Sequence, residues 1–176
     1  MLTALLVILT ALQSPAQACI AGSRLVITDS GIGLVRLGAK IDEISSRCPI
    51  IKDTVLPNWD YVEPERVVVI FLGADTVQTV VDSAGRVERV YVDSPRLKTA
   101  DSLGVGTRLV TLAKRGSTGS QSEATFGVHV PAHCGLRFVI TGIPAMNQAE
   151  ELGHMAMRRF ASRAKVRRVE ITGCRS

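Results

Sequence analysis

Aromatic side chains are scarce in this 176-residue chain, which has four Phe, two Tyr and one Trp. A core built with so few has to be filled mainly by Val, Ile and Leu. After residue 18 no stretch is long and apolar enough to cross a bilayer, which takes roughly 20 apolar residues. Nucleotide fingerprints are missing too: Gly31-Ile32-Gly33 and Gly104-Val105-Gly106 do not continue into a dinucleotide motif. The serine-rich Gly116-Ser117-Thr118-Gly119-Ser120 is not Gly-x-Ser-x-Gly and reads as a flexible connector, with no strand-to-helix elbow for a nucleophile. Glu63 and Glu65 lie close together in a loop, but nothing near them in sequence signals a raised pKa. His129, His133 and Cys134 cluster without the paired spacing and fourth ligand of a structural zinc site. The basic C-terminal end contains Phe160 but no interleaved aromatic series, which argues against nucleic acid. These absences lead to the expectation of no enzymatic activity, no metal and no cofactor.

The first 18 residues carry no charged side chain. Residues 2–12 form an apolar run interrupted by Thr3 and Thr10, and Ala16-Gln17-Ala18 resembles a signal-peptidase site. The run is too short to span a membrane, so the expectation is a cleaved export signal over residues 1–18, although no Lys or Arg precedes the apolar run. The mature chain, residues 19–176, would then be one domain in the periplasm or outside the cell.

All four cysteines, Cys19, Cys48, Cys134 and Cys174, lie beyond that site. An even number in an oxidising compartment implies two disulfides, with three pairings open. Joining Cys19 to Cys48 and Cys134 to Cys174 would staple each end of the chain. The alternative is a lipid on Cys19, against which the residues before it lack the Leu usual three positions upstream. The net charge of +5 is uneven. Residues 19–145 hold 14 basic and 13 acidic side chains, and residues 146–176 hold 7 and 3. Such a local excess can attract an anionic surface, although it is more often a solvated helix face.

Residues 67–72, 76–82 and 87–92 are apolar runs separated by Gly73-Ala74-Asp75 and Ser83-Ala84-Gly85. Breaks this short demand hairpins, so the middle of the chain is a three-stranded meander. Gly85 suits the left-handed last position of the second loop. That loop pairs Asp82 with Arg86, Val81 with Val87 and Val77 with Tyr91. Short strands are expected near residues 24–28 and 33–37, and a helix over 39–47 that Cys48-Pro49 ends. Residues 50–65 read as a loop in which Trp59 and Tyr61 cover a satellite cluster. A second helix should start near Thr107, with its hydroxyl as cap. Residues 125–130 and 136–141 alternate as a hairpin, and pairing Val130 with Leu136 places Phe126, Val128, Val130, Leu136, Phe138 and Ile140 on one face. Thr125, His129, Arg137 and Thr141 then lie on the outer face. Asn147 and Glu150 have capping-box spacing for a third helix to about Ala164, before a last strand over 166–172.

The fold class expected from this order is α+β: an antiparallel sheet of hairpins and a meander packed by three helices. Gly38-Ala39-Lys40-Ile41 and Gly106-Thr107-Arg108-Leu109 repeat one phrase, and suggest similar halves over 24–93 and 99–172. The phrase and the helix-then-sheet order resemble the two-fold repeat of secreted proteins like the β-lactamase inhibitor protein and the related small lipoproteins of outer-membrane assembly. In those families a Gly-x-Thr phrase starts a helix that packs on an antiparallel sheet. Gly106-Thr107 is similar to it, while Gly38-Ala39 lacks the hydroxyl. The resemblance implies a non-catalytic, protein-binding role in the cell envelope. The candidate surface is Thr125, His129, Arg137 and Thr141, with Arg158, Arg159, Arg167 and Arg168 as a second, basic one. The alternative is an envelope-associated structural protein or lipoprotein, held at a membrane surface by its basic end or an acylated Cys19, and a hydrolase is the third reading.

Overall fold

The structure is a computed structural model that describes residue 19 and residues 25–57, 64–122, 125–141 and 163–174. The export signal, Trp59, Tyr61, Glu63, Arg158, Arg159, Phe160 and nearly all of the expected third helix lie outside the described residues. The described part is mostly strand. β1 (Val26–Thr28), β2 (Gly31–Ile32), β3 (Val35–Arg36) and β8 (Lys98–Thr99) form a four-stranded sheet in the order β3-β2-β1-β8. The other eight, β4 (Ile50–Leu56), β5 (Glu65–Leu72), β6 (Asp75–Val81), β7 (Val87–Val92), β9 (Thr118–Ser122), β10 (Thr125–His129), β11 (Leu136–Thr141) and β12 (Lys165–Ile171), form a sheet in the order β4-β5-β6-β7-β12-β11-β10-β9.

The expected α+β class of three helices on a sheet is therefore corrected. Among the described residues there are two helices of five residues each, α1 (Ile41–Ser45) and α2 (Leu109–Ala113). Each buries one apolar pair, Ile41 with Ile44 and Leu109 with Leu112. A pair spaced by three residues holds little more than one turn against a core. Ala164, expected at the end of the third helix, instead accepts the Leu109 N–H through its carbonyl at 2.9 Å. Thr107 does not cap α2: the N-cap is Arg108, and Thr107 Oγ1 accepts the Gly104 N–H at 3.0 Å.

Two segments read as loops are strands. β4 pairs along β5, and β9 pairs along β10, as the two edges of the large sheet. The hairpin register is as read, with Phe126 opposite Ile140 and Val128 opposite Phe138. The meander register holds at Val81 opposite Val87 and then slips, so that Tyr91 faces Gln78 rather than Val77. A bulge between Val80 and Val81 accommodates Glu88 as an extra residue.

The two Gly-x-basic-apolar phrases occupy matching places. Gly38 N–H donates to Val87 and Gly106 N–H to Val166, both at 2.8 Å. Val87 and Val166 return bonds to Ala39 and Thr107, both at 2.9 Å. Both last strands then carry a one-residue bulge, at Glu88 and at Arg167. They meet antiparallel at the centre of the sheet, where Tyr91 faces Glu170.

One face of the large sheet is the core. Val68, Ile70, Val90, Val92, Val128, Leu136, Phe138, Val169 and Ile171 are fully buried there, against Ile27, Ile32, Val35 and the two helices. Among the described residues, the four-stranded sheet and the two helices lie on that side, and the opposite side is called the outer face. Disulfides join Cys19 to Cys48 and Cys134 to Cys174. The Cys19 sulfur is therefore engaged and cannot carry the thioether of a lipid anchor while this bond stands.

Candidate functional site

The strand period of two decides which side chains reach the outer face. On β7 it presents Arg89 and Tyr91 beside the buried Val90 and Val92, with Asp93 just past the strand; on β12 it presents Arg168 and Glu170 beside Val169. Register then lines up one row across four strands: Gln78, Tyr91, Glu170 and Arg137.

These side chains form a connected polar layer. Arg137 Nη1 donates to Glu170 Oε2 at 2.8 Å, and its Nη2 donates to Thr125 Oγ1 at 3.0 Å. Arg168 grips Asp93 with two parallel bonds, Nε to Oδ1 at 2.8 Å and Nη2 to Oδ2 at 2.7 Å. The Arg168 guanidinium carbon also stands 4.9 Å from the Tyr91 ring centre, a cation–π contact. Arg89 pairs with Glu65 and donates to the Tyr91 hydroxyl at 3.2 Å. Tyr91 thus sits between two arginines at the centre of the sheet. Burial pushes its phenol pKa up, reinforced by the Glu170 and Glu65 charges and opposed by Arg89.

Three arginines here meet three carboxylates, Glu65, Asp93 and Glu170. The layer is internally neutralised and preorganised, and it is not a trap for anions. Two further apolar residues, Val80 and Val139, are buried on this side apart from the main core. Register sets them opposite Arg89 and Arg168, a placement in which arginine stems shield apolar neighbours. Gly127 has a specific task in this layer. A Cβ there would stand 2.1 Å from Arg137 Nε, so only glycine lets that guanidinium lie flat across β10.

At one end of the face a cleft of about 330 Å³ opens between Val69, Asp75, Gln78, Tyr91, Asp93 and Arg96. Both of its carboxylates are committed. Asp75 receives bonds from Ser94 and from Arg96 Nε at 3.0 Å, and Asp93 is held by Arg168.

Of the first candidate surface, Thr125 and Arg137 are joined directly, while His129 and Thr141 are exposed at opposite ends of the hairpin. Of the basic candidates, Arg168 is drawn into the polar layer and Arg167 is exposed at the bulge. His129, His133 and Cys134 are not gathered around one point. His133 Nε2 lies 3.0 Å from Asp101 Oδ1, and Cys134 is bonded to Cys174. Among the described residues the clustered ligand-type atoms are those of Asp29, Cys134 and Cys174, and both sulfurs are in the disulfide. Asp101 also receives Thr99 Oγ1 and Arg115 Nη1, each at 2.6 Å. Burial alone would raise its pKa, but the Thr99 bond and the His133 charge outweigh that and hold it below the usual carboxylate range. This cluster ties the turn after β8 to the turn after α2 and to the loop between β10 and β11.

Sequence reasoning missed Arg89, Asp93 and Glu170, and gave Glu65 and Tyr91 no place on a candidate surface. The alternation Arg89, Tyr91, Asp93 between valines was a usable signal for the outward side of β7. Nothing in sequence marked their partners.

No family model matches the chain, and no curated protein matches it. Among solved structures, the uncharacterized protein yfeY from Escherichia coli is similar, with a TM-score of 0.58 at 11% identity over 85% of this chain and 99% of that one. At that identity the likeness is one of fold.

Proposed function

We propose that this chain is an exported, non-catalytic binding module of the cell envelope that docks a protein partner on the outer face of its large sheet. The observation that carries the reading is Tyr91 held between Arg89 and Arg168, with Arg137 on the same face. Tyr and Arg, with Trp, are enriched among binding hot spots. Here they are fixed by neighbours on rigid strands, so little side-chain freedom remains to be lost on docking. Internal neutralisation favours a partner of mixed polarity over a uniformly acidic one. The two disulfides favour an oxidising compartment, in keeping with an export signal over residues 1–18. Anchoring by the basic end or by an acylated Cys19 is less favoured, because Arg168 is neutralised by Asp93 and the Cys19 sulfur is bonded to Cys48.

The test is cross-linked capture from a native envelope fraction with three baits: the wild-type chain, Tyr91→Ala and a control, Lys114→Ala. The expected outcome is one protein captured by wild type and control and reduced about tenfold or more with Tyr91→Ala, the loss of a hot-spot residue. Equal capture by all three folded baits would refute the docking face.

A further inference from the structure

The two disulfides sit in opposite surroundings. Cys19 and Cys48 are each 1% exposed and belong to the core. Cys134 and Cys174 are both exposed, among the exposed Pro131, Ala132 and Thr172. The strands they join are also held without them. Leu136 pairs with Ile171, and Thr172 N–H donates to the Gly135 carbonyl at 3.0 Å. Opening that bond removes a covalent link while leaving the backbone ladder beside it in place.

We propose that Cys134–Cys174 is a thiol–disulfide exchange site for an external dithiol, while Cys19–Cys48 stays oxidised in the same folded molecule. One thiolate of the dithiol attacks a sulfur of the pair in line with the S–S bond. A mixed disulfide forms, and the other cysteine leaves as thiolate and takes up a proton. The second thiol of the dithiol, deprotonated, then attacks its own sulfur in the mixed disulfide and expels the remaining cysteine, which is also protonated. The dithiol departs as a disulfide, and two electrons and two protons have passed to Cys134 and Cys174. Access of the attacking thiolate governs this reaction, and access is what the core denies to Cys19–Cys48.

The site also carries a selectivity element. One Asp29 carboxylate oxygen and the two sulfurs lie within 4.8 Å of one another. Its negative charge opposes an approaching thiolate and disfavours the departing one. Asp29 is held there by the Gly135 N–H, which donates to Oδ1 at 3.0 Å. A dithiol flanked by basic side chains suits this site better than a neutral or acidic one.

The experiment treats the folded, full-length mature chain with dithiothreitol, quenches with N-ethylmaleimide over time and locates the label by peptide mass spectrometry, with circular dichroism in parallel. The expected result is label on Cys134 and Cys174 appearing at least about tenfold faster than on Cys19 and Cys48, with the far-ultraviolet spectrum unchanged. Asp29→Asn, which keeps an oxygen for the Gly135 bond, should speed that labelling several-fold. In a Cys134→Ser, Cys174→Ser double variant that keeps the wild-type spectrum, Cys19 and Cys48 should stay unlabelled over the same period. Equal rates at the two disulfides, earlier labelling of Cys19 and Cys48, or labelling only once the spectrum is lost would each overturn the assignment.

Discussion

Replacing Gly127 with Ala sets two known effects against each other. In a strand interior Ala is favoured over Gly by about 0.5–1 kcal/mol, because it loses less backbone freedom on folding. At this position, however, the new Cβ would stand 2.1 Å from Arg137 Nε and 2.6 Å from its Cζ. The guanidinium has to move, and with it go the bonds to Glu170 and Thr125. Arg137 and Glu170 are only 17% and 19% exposed, so water restores the lost pairing incompletely. A hydrogen bond between charged groups contributes about 1.5–3 kcal/mol. Taking that bond as lost and the weaker Thr125 bond as replaced by water, the net effect is a destabilisation of about 0.5–2.5 kcal/mol. At about 2–4 °C per kcal/mol for a chain of this length, Tm should fall by about 1–10 °C. The assay is thermal and urea denaturation of the oxidised protein, with Arg137→Ala and the double variant completing the cycle. In the Arg137→Ala background the clash is gone, and Gly127→Ala should be neutral to stabilising. A single Gly127→Ala variant as stable as wild type, or a destabilisation that persists without Arg137, would refute the account of the polar layer.

Three further outcomes follow from the same structure. Phe138→Ala, at a fully buried position in the middle of β11, should cost about 3–5 kcal/mol in urea denaturation. Asp101→Asn should cost about 1–2 kcal/mol at pH 7. Because the folded pKa of Asp101 lies below the unfolded value of about 3.9, its contribution is complete above that pH and is lost as pH falls through the folded pKa, so the wild-type and variant stability curves should converge in acid. Spectrophotometric titration should find a phenol ionising above the ordinary value of about 10 that disappears in Tyr91→Phe, which checks the burial of Tyr91.

The central meander and the last hairpin were legible because both bury one face completely. Burial of a face imposes alternation, and alternation with a short loop fixes register. β4 and β9 escaped for the converse reason. Ile51 and Val55 of β4 are 58% and 61% exposed, so its residues are under no pressure to alternate, and β9 reads Thr-Gly-Ser-Gln-Ser. The slip at Glu88 was invisible because a bulge adds a residue without any compositional mark. The helices were overextended because Asp42, Glu43 and the apolar spacing suit a helix start, whereas its end depends on what packs above it. The candidate surface was only partly legible. Arg137 and Thr125 followed from the hairpin alone, but Arg168 with Asp93 spans 75 residues and Arg137 with Glu170 spans 33. Pairings of that range depend on the sheet order, and the order was not readable from local pattern.

The final strand in the sequence is an interior strand of the large sheet, flanked by β7 on one side and β11 on the other. A chain that emerges N-terminus first can assemble each meander early, but until residue 171 is free both have a bare hydrogen-bonding flank in the middle of what will become the sheet. Exposed flanks of this kind recruit other chains. β12 therefore works as a keystone: its arrival joins two half-sheets into one continuous layer and, in the same step, brings Glu170 and Arg168 to Tyr91.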